Sequence, residues 1–290
     1  MNYESKYFKY KNKYNNLKSS VGGYLKDYIC SDPILDKVYD EVFQFLEIDS
    51  EIQEIVKKLI NNNLNEYGPL PSTSWIHNQI LIGSKPNTCD DIKIIVDDGH
   101  ITGFLSLREN NELYQYCKLE KDDNIELYNN YDNLIFLRFR INDYNTPTKV
   151  EDTIAAVDNI VNYILRNSTH KIMIHCFGGH GRTGLFTCCV LSILLLLSTQ
   201  SYKDLINKIK NEPFYQAKIS INNLSEKIFK IIQAYMMVNL RAYRKTDWAC
   251  MKDIKKMLIP ETPAQSNFVK EVIVSYITKY IEDGLLYNNV

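Results

Sequence analysis

Ile172-Met173-Ile174-His175-Cys176-Phe177-Gly178-Gly179-His180-Gly181-Arg182-Thr183-Gly184 is the stretch on which the reading of this chain turns. A short apolar run leads into a glycine-rich loop, and a long apolar run follows from Leu185, which reads as strand, tight loop, helix. Five residues separate Cys176 from Arg182 and three of them are glycine, so the backbone between them can curl with its N–H groups facing a common centre. Such a nest binds an anion. The helix that follows brings its free N–H groups and the positive end of its dipole to the same place. Arg182 adds a planar fork that pairs two phosphoryl oxygens at once.

A cysteine at the mouth of such a cradle is a candidate nucleophile, because the amides and guanidinium that hold a phosphate dianion also favour thiolate over thiol. His175 is expected to orient the loop through its ring and to assist that activation, and the Thr183 hydroxyl to hydrogen-bond the sulfur when it leaves. The pattern HCxxGxxRTG, here HCFGGHGRTG, resembles the active-site loop of the cysteine-dependent protein tyrosine phosphatase superfamily. The order Cys-Phe-Gly-Gly looks most like its kinase-associated and small atypical dual-specificity members. The segments SWIHNQILIGSKP, FLSLRE and LRFRINDYNTP fall in the order seen in small dual-specificity phosphatases, so the resemblance covers about Pro69 to Val238.

A phosphoester hydrolase needs a general acid, because an alkoxide or phenolate leaves badly unless protonated in the transition state. Asp143 is the candidate. It lies at the carboxyl end of an expected strand, Leu134 to Ile141, where a loop can bring it over the site. The family carries its acid in a hydrophobic-x-Asp-x-x-x-Pro pattern, and Asp143 and Pro147 stand in that register. Asp132 and Asp152 are the fallbacks, one before the strand and the other inside the following helix. The resemblance then implies in-line attack by Cys176 on phosphorus. Arg182 and the amides of Phe177, Gly178, Gly179, His180, Gly181 and Arg182 would hold the equatorial oxygens, Asp143 would protonate the leaving oxygen, and water would then hydrolyse the cysteinyl-phosphate with Asp143 acting as base. His175, His180 and the pair Cys188-Cys189 do not reproduce metal-ligand spacing, so neither metal nor cofactor is expected, and the two cysteines read as small residues on a core helix.

Outward from the loop, strands alternate with helices. Gln79 to Gly83, Ile101 to Leu107, Leu134 to Ile141 and Lys171 to His175 read as strands. A helix capped by Thr88 and another beginning at Thr148, with Glu151 completing a capping box, lie between them. The fold class expected is α/β, a central mostly parallel sheet flanked by helices of the protein tyrosine phosphatase type, with helical extensions at both ends. Its site should lie at the carboxyl ends of the strands. Residues 1–66 read as a helical N-terminal extension, 67–240 as the catalytic domain and 241–290 as a helical C-terminal extension, with Tyr67-Gly68-Pro69-Leu70-Pro71 as the first break. Two amphipathic helices are expected between Asp32 and Asn63, two more over Ser201–Asn211 and Asn222–Val238, and one after Thr262-Pro263 ending at Gly284.

The net charge of −1 supplies no global field for nucleic acid or a membrane surface. Only the leader Met1–Lys18 is basic, with Tyr3, Tyr7, Tyr10, Tyr14 and Leu17 on one helical stripe. It resembles the N-terminal extensions of many proteins of large DNA viruses. Seven irregularly spaced cysteines and a required free thiol point to a reducing compartment, hence the cytoplasm, or the host cytoplasm or virion if the source is viral. The apolar run Leu185–Leu197 is short for a membrane span and reads as a buried helix. The terminal helices offer a surface for homo-oligomerisation.

Departures from the family narrow the substrate to a phosphoprotein carrying phosphotyrosine or phosphoserine/threonine. No Lys-Asn-Arg-Tyr-type segment builds a deep phosphotyrosine slot, Asp143 lacks a preceding Trp-Pro, and the loop interior lacks the lysines of inositol-phosphate phosphatases. The glutamine that positions the hydrolytic water in many relatives has no obvious counterpart, with Ser225 or Asn222 nearest its place. Rival readings are an RNA 5′-triphosphatase or phosphoinositide phosphatase of the same superfamily, a sulfur transferase of the rhodanese kind, and a non-catalytic phosphate-binding module.

Overall fold

A computed structural model describes residues 35–109, 134–243 and 254–283, all within one compact unit. The expected leader stripe over Met1–Lys18 and the Gly284 stop lie outside the described residues. Helices α1 (Leu35–Phe45) and α2 (Ser50–Asn62) come first. A six-stranded sheet follows, built from β1 (Glu66–Tyr67), β2 (Thr73–His77), β3 (Ile80–Ser84), β4 (Gly103–Ser106), β5 (Ile135–Arg138) and β6 (Ile172–Cys176) in the spatial order β1-β2-β3-β6-β4-β5. The β3–β6, β6–β4 and β4–β5 pairings are parallel and the two at the β1 edge antiparallel. The expected α/β architecture is therefore present, with β6 at the centre of its parallel part.

Alternation along the central strands sorts their side chains between two cores. Leu81 and Met173 face one layer with Trp75, Ile92, Ile95 and Phe104, where helix α3 (Cys89–Asp97) covers the sheet. Ile80, Ile82, Ile172 and Ile174 face the other. That second layer is filled by α1, α2, α4 (Val150–Arg166), α5 (Gly181–Ser198), α7 (Phe214–Tyr243) and α8 (Pro263–Asp283). Helix α6 (Gln200–Ile209) adds Tyr202, Ile206 and Ile209 to it. Both faces are covered, which is why these strands read as unbroken apolar runs. Helix α5 is long and apolar enough to cross a membrane, yet every residue from Arg182 to Leu196 is buried against the sheet and its neighbours, as expected for a core helix.

Two helix boundaries differ from expectation. Helix α3 has the Thr88 cap, reciprocated by Asp91, but α4 starts after Lys149 with no side-chain cap, so the Thr148–Glu151 box does not form. Helix α7 begins at Phe214, well before Asn222. Its first residues are exposed, with Phe214 at 88% and Tyr215 at 78%, and propagate from the packed turns that follow. Residues on either side of 66/67 and of 240/241 belong to the same compact unit. Strand β1 pairs with β2, α1 and α2 pack on α7, and α8 buries Phe268, Val269, Val272, Ile273 and Ile277 against α4, α5 and α7. The apolar face of the C-terminal helix is thus covered by the chain's own core.

Candidate active site

Cys176 ends β6, beside Ser84 of β3, and His175 is paired with Ser106 of β4, so the loop opens at the carboxyl ends of three neighbouring parallel strands. Successive strands end there and leave a crevice that the following loop fills. Gly179 adopts φ +72°, and a side chain on it would come within 2.1 Å of the Gly83 carbonyl carbon; the loop can curl this tightly against β3 only with glycine here. Its N–H donates to the Cys176 Sγ at 3.1 Å. Cys176 is 3% exposed. Lys85 N–H donates to the Phe177 carbonyl at 3.4 Å and the Lys85 ammonium lies 5.1 Å from the Phe177 ring, tying the loop to the end of β3. Helix α5 begins at Gly181, and its first turn closes through Gly184 N–H to the His180 carbonyl at 2.6 Å.

Arg182 is 2% exposed. Its Nη1 donates to the Ile141 carbonyl at 3.3 Å and its Nε lies 3.3 Å from the Asp143 Oδ1, an ion pair whose angle makes no hydrogen bond. The strand-end segment that carries Asp143 thereby sets the guanidinium's orientation. That segment continues from β5: Phe139 N–H bonds the Ser106 carbonyl, Ile141 N–H bonds the Leu107 carbonyl, and the Phe139 ring packs 5.3 Å from Phe186 of α5. Asp143 N–H donates to Glu109 Oε1 at 2.5 Å. The next residue, Tyr144, takes a left-handed φ of +60° and completes the turn. Asp143 is the candidate acid that the structure brings to Arg182. Asp152 is exposed in the first turn of α4, and Asp132 lies outside the described residues.

Two expectations for the loop are modified. The Thr183 hydroxyl is buried and makes no hydrogen bond, so the sulfur receives the Gly179 N–H and not this hydroxyl. His175 is buried and its pKa is lowered to about 3, first by burial, then by the Arg108 charge, with Lys85 and Arg182 adding to it against the opposing effect of the Cys176 backbone. Its ring is neutral. The positive charges that act on His175, the residue before the nucleophile, are Arg108, Lys85 and Arg182, of which sequence reading had singled out only the last. Arg108 is fully buried beyond the end of β4, its Nε 3.3 Å from Ser106 Oγ, and Lys85 is 4% exposed beyond the end of β3. A charged residue just past a strand that flanks the loop strand was the available signal.

Glu261 was missed as well. Its Oε2 would lie 2.4 Å from a β-carbon on Gly181, which places a second carboxylate against the first turn of α5. Gln265, fully buried, holds this segment: its Oε1 accepts from the N–H groups of Glu261 at 3.1 Å and Thr262 at 3.3 Å, and its Nε2 donates to the Asn145 carbonyl at 3.2 Å. Ser225, by contrast, bonds the Lys270 carbonyl inside the α7–α8 contact. Cys188 and Cys189 are free thiols buried in α5, both raised from their ordinary pKa by burial. No cluster of three or more metal-ligating side chains occurs among the described residues.

The family model described as Swiss Army Knife protein, DSP-PTPase phosphatase domain, matches residues 70–231. This span contains the loop and Asp143 and ends before Glu261. No curated protein matches the sequence. Among solved structures the chain is similar to PTPMT1 in complex with PI(5)P, with 15% identity, 70% of this chain and 94% of that one covered, and a TM-score of 0.40. It is also similar to OH1 from the Orf virus, described as a tyrosine phosphatase, with 9% identity, coverage of 79% and 99%, and a TM-score of 0.39. The core catalytic domain of the PP-IP phosphatase SIW14 from S. cerevisiae, in complex with citrate, gives 13% identity, coverage of 76% and 95%, and a TM-score of 0.36.

Proposed function

This chain belongs to the DSP-PTPase phosphatase-domain family of the Swiss Army Knife proteins, and from that membership we propose that it is a dual-specificity protein phosphatase, hydrolysing phosphotyrosine and phosphoserine/threonine through a cysteinyl-phosphate. The observation that carries the reading is the contact between Arg182 and Asp143 directly beside the Cys176 loop, which puts nucleophile, anion fork and acid within one constellation. A module that only bound phosphate would have no need of a carboxylate competing for its arginine.

In the first step the Cys176 thiolate attacks phosphorus in line, the P–O bond to the leaving group breaks, and Asp143 gives its proton to the departing oxygen. The incoming phosphate takes Arg182 in exchange for Asp143, and the released carboxylate takes up a proton from solvent before it meets the leaving group. The loop amides hold the equatorial oxygens in place. In the second step water attacks the phosphocysteine, the S–P bond breaks, and thiolate and inorganic phosphate are released. Buried Arg108 and Lys85 keep the surroundings of His175, the neighbour of the nucleophile, positive throughout.

The test is phosphate release from phosphotyrosine peptide, phosphothreonine peptide, phosphoinositide and 5′-triphosphate RNA, with Cys176→Ser as the blank. Turnover of both peptides that vanishes in the variant is the expected result. Activity confined to lipid or RNA reassigns the substrate, and inactivity on all four makes the domain a binding module.

A further inference from the structure

We propose that Glu261 is the base of the second step: it takes the proton of the water that hydrolyses the cysteinyl-phosphate, while Asp143 serves as the acid of the first. The inference rests on the phosphatase reading and divides between two carboxylates a pair of duties that one could otherwise perform alternately.

Three observations carry it. First, the position: the Glu261 carboxylate lies against Gly181, the residue before Arg182, so it stands at the rim of the amide cradle and on the first turn of α5. A β-carbon at 181 would displace it, and glycine there leaves the carboxylate its place. Second, the mounting: Ile259, fully buried, packs on Gly184 one turn along α5, and Gln265 clamps the backbone at Glu261 and Thr262 while bonding the Asn145 carbonyl in the Asp143 loop. One buried amide thus fixes both carboxylate-bearing segments in mutual register. Third, the environments differ. Asp143 is 45% exposed and contacts Arg182, whereas Glu261 is raised from its ordinary pKa by burial and by the Asp143 charge, against the opposing pull of Arg182. A carboxylate raised in this way binds a proton more strongly than an ordinary one, which suits it to take one from water near neutral pH.

The step balances without a further reactant. Water oxygen bonds to phosphorus, the S–P electron pair returns to Cys176, where the Gly179 N–H receives the thiolate, and the water proton passes to Glu261. Inorganic phosphate departs, and Glu261 returns its proton to solvent.

The test uses the full chain and an aryl phosphate whose phenolate absorbs, followed by rapid mixing for wild type, Glu261→Gln and Glu261→Ala. The expected result is a phenolate burst at the wild-type rate in both variants, then a steady state slower by about 10²-fold, with phosphate trapped on Cys176 on acid quenching. An unchanged burst also reports that the loop is intact. Wild-type turnover in Glu261→Gln overturns the proposal, since an amide can orient water but cannot take its proton. Equal slowing of burst and steady state overturns it too, assigning Glu261 a purely structural part. Absence of trapped phosphate in every form, wild type included, defeats the phosphatase reading and this proposal together; trapped phosphate with unslowed variants defeats this proposal alone.

Discussion

Replacing His175 by Asn should flatten the acid side of the stability profile. In the folded protein the ring is neutral because burial and the nearby Arg108 charge oppose its protonation, and its pKa falls from 6.5 to about 3. The unfolded chain protonates it near 6.5 and therefore binds more protons throughout that window, so stability is complete above 6.5 and is lost as pH falls toward 3. One proton bound only by the unfolded state gives a slope of about 1.4 kcal/mol per pH unit, hence a loss of about 2 kcal/mol between pH 6.5 and 5 and about 5 kcal/mol across the whole window. The assay is urea unfolding at half-unit intervals from pH 7.5 to 5. His175→Asn removes this proton from both states, and its curve should be shallower than wild type by that ~2 kcal/mol, whatever its absolute stability. His77, lowered to about 4 by burial, contributes equally to both proteins and cancels in the difference. Parallel curves would refute the argument, because they would mean that His175 takes up its proton over the same pH range in the folded as in the unfolded chain.

Asp143→Asn should lower kcat by about 10²–10⁴ on alkyl phosphates and much less on aryl phosphates with good leaving groups, which a leaving-group series would read directly. Gly179→Ala should abolish phosphate release and cost about 2 kcal/mol or more in chemical denaturation, because it combines a left-handed φ of +72° with a clash against the β3 backbone. Tyr235→Phe removes a hydroxyl that bonds the Ile76 carbonyl and lies 2.8 Å from Asn65 Oδ1; thermal or urea unfolding should show a loss of about 1–3 kcal/mol, while turnover stays at the wild-type value.

What the sequence determined by itself is the part of the molecule built from neighbours along the chain. The curl from Cys176 to Arg182 follows from its glycines, α3 from Thr88 and Asp91, and the central strands from runs such as Ile80-Leu81-Ile82 and Ile172-Met173-Ile174, each set by forces that act over a few residues. Asp143 was legible for a related reason, since it lies just past a recognisable strand and a fixed interval before a proline. The tertiary structure alone decided the rest of the site. Arg108 and Lys85 become its buried cations only because β4 and β3 flank β6, an ordering that no local pattern encodes. The charge state of His175 depends on those cations and on burial. Glu261 and Gln265 reach the loop from what reads as a separate C-terminal extension, because α8 carries a broad apolar stripe that can be buried only against α4, α5 and α7. Once that stripe is packed, the residues just before it must lie at the first turn of α5. A periodic pattern says that a helix has a face to bury, whereas the surface that receives it exists only after the remaining elements have folded.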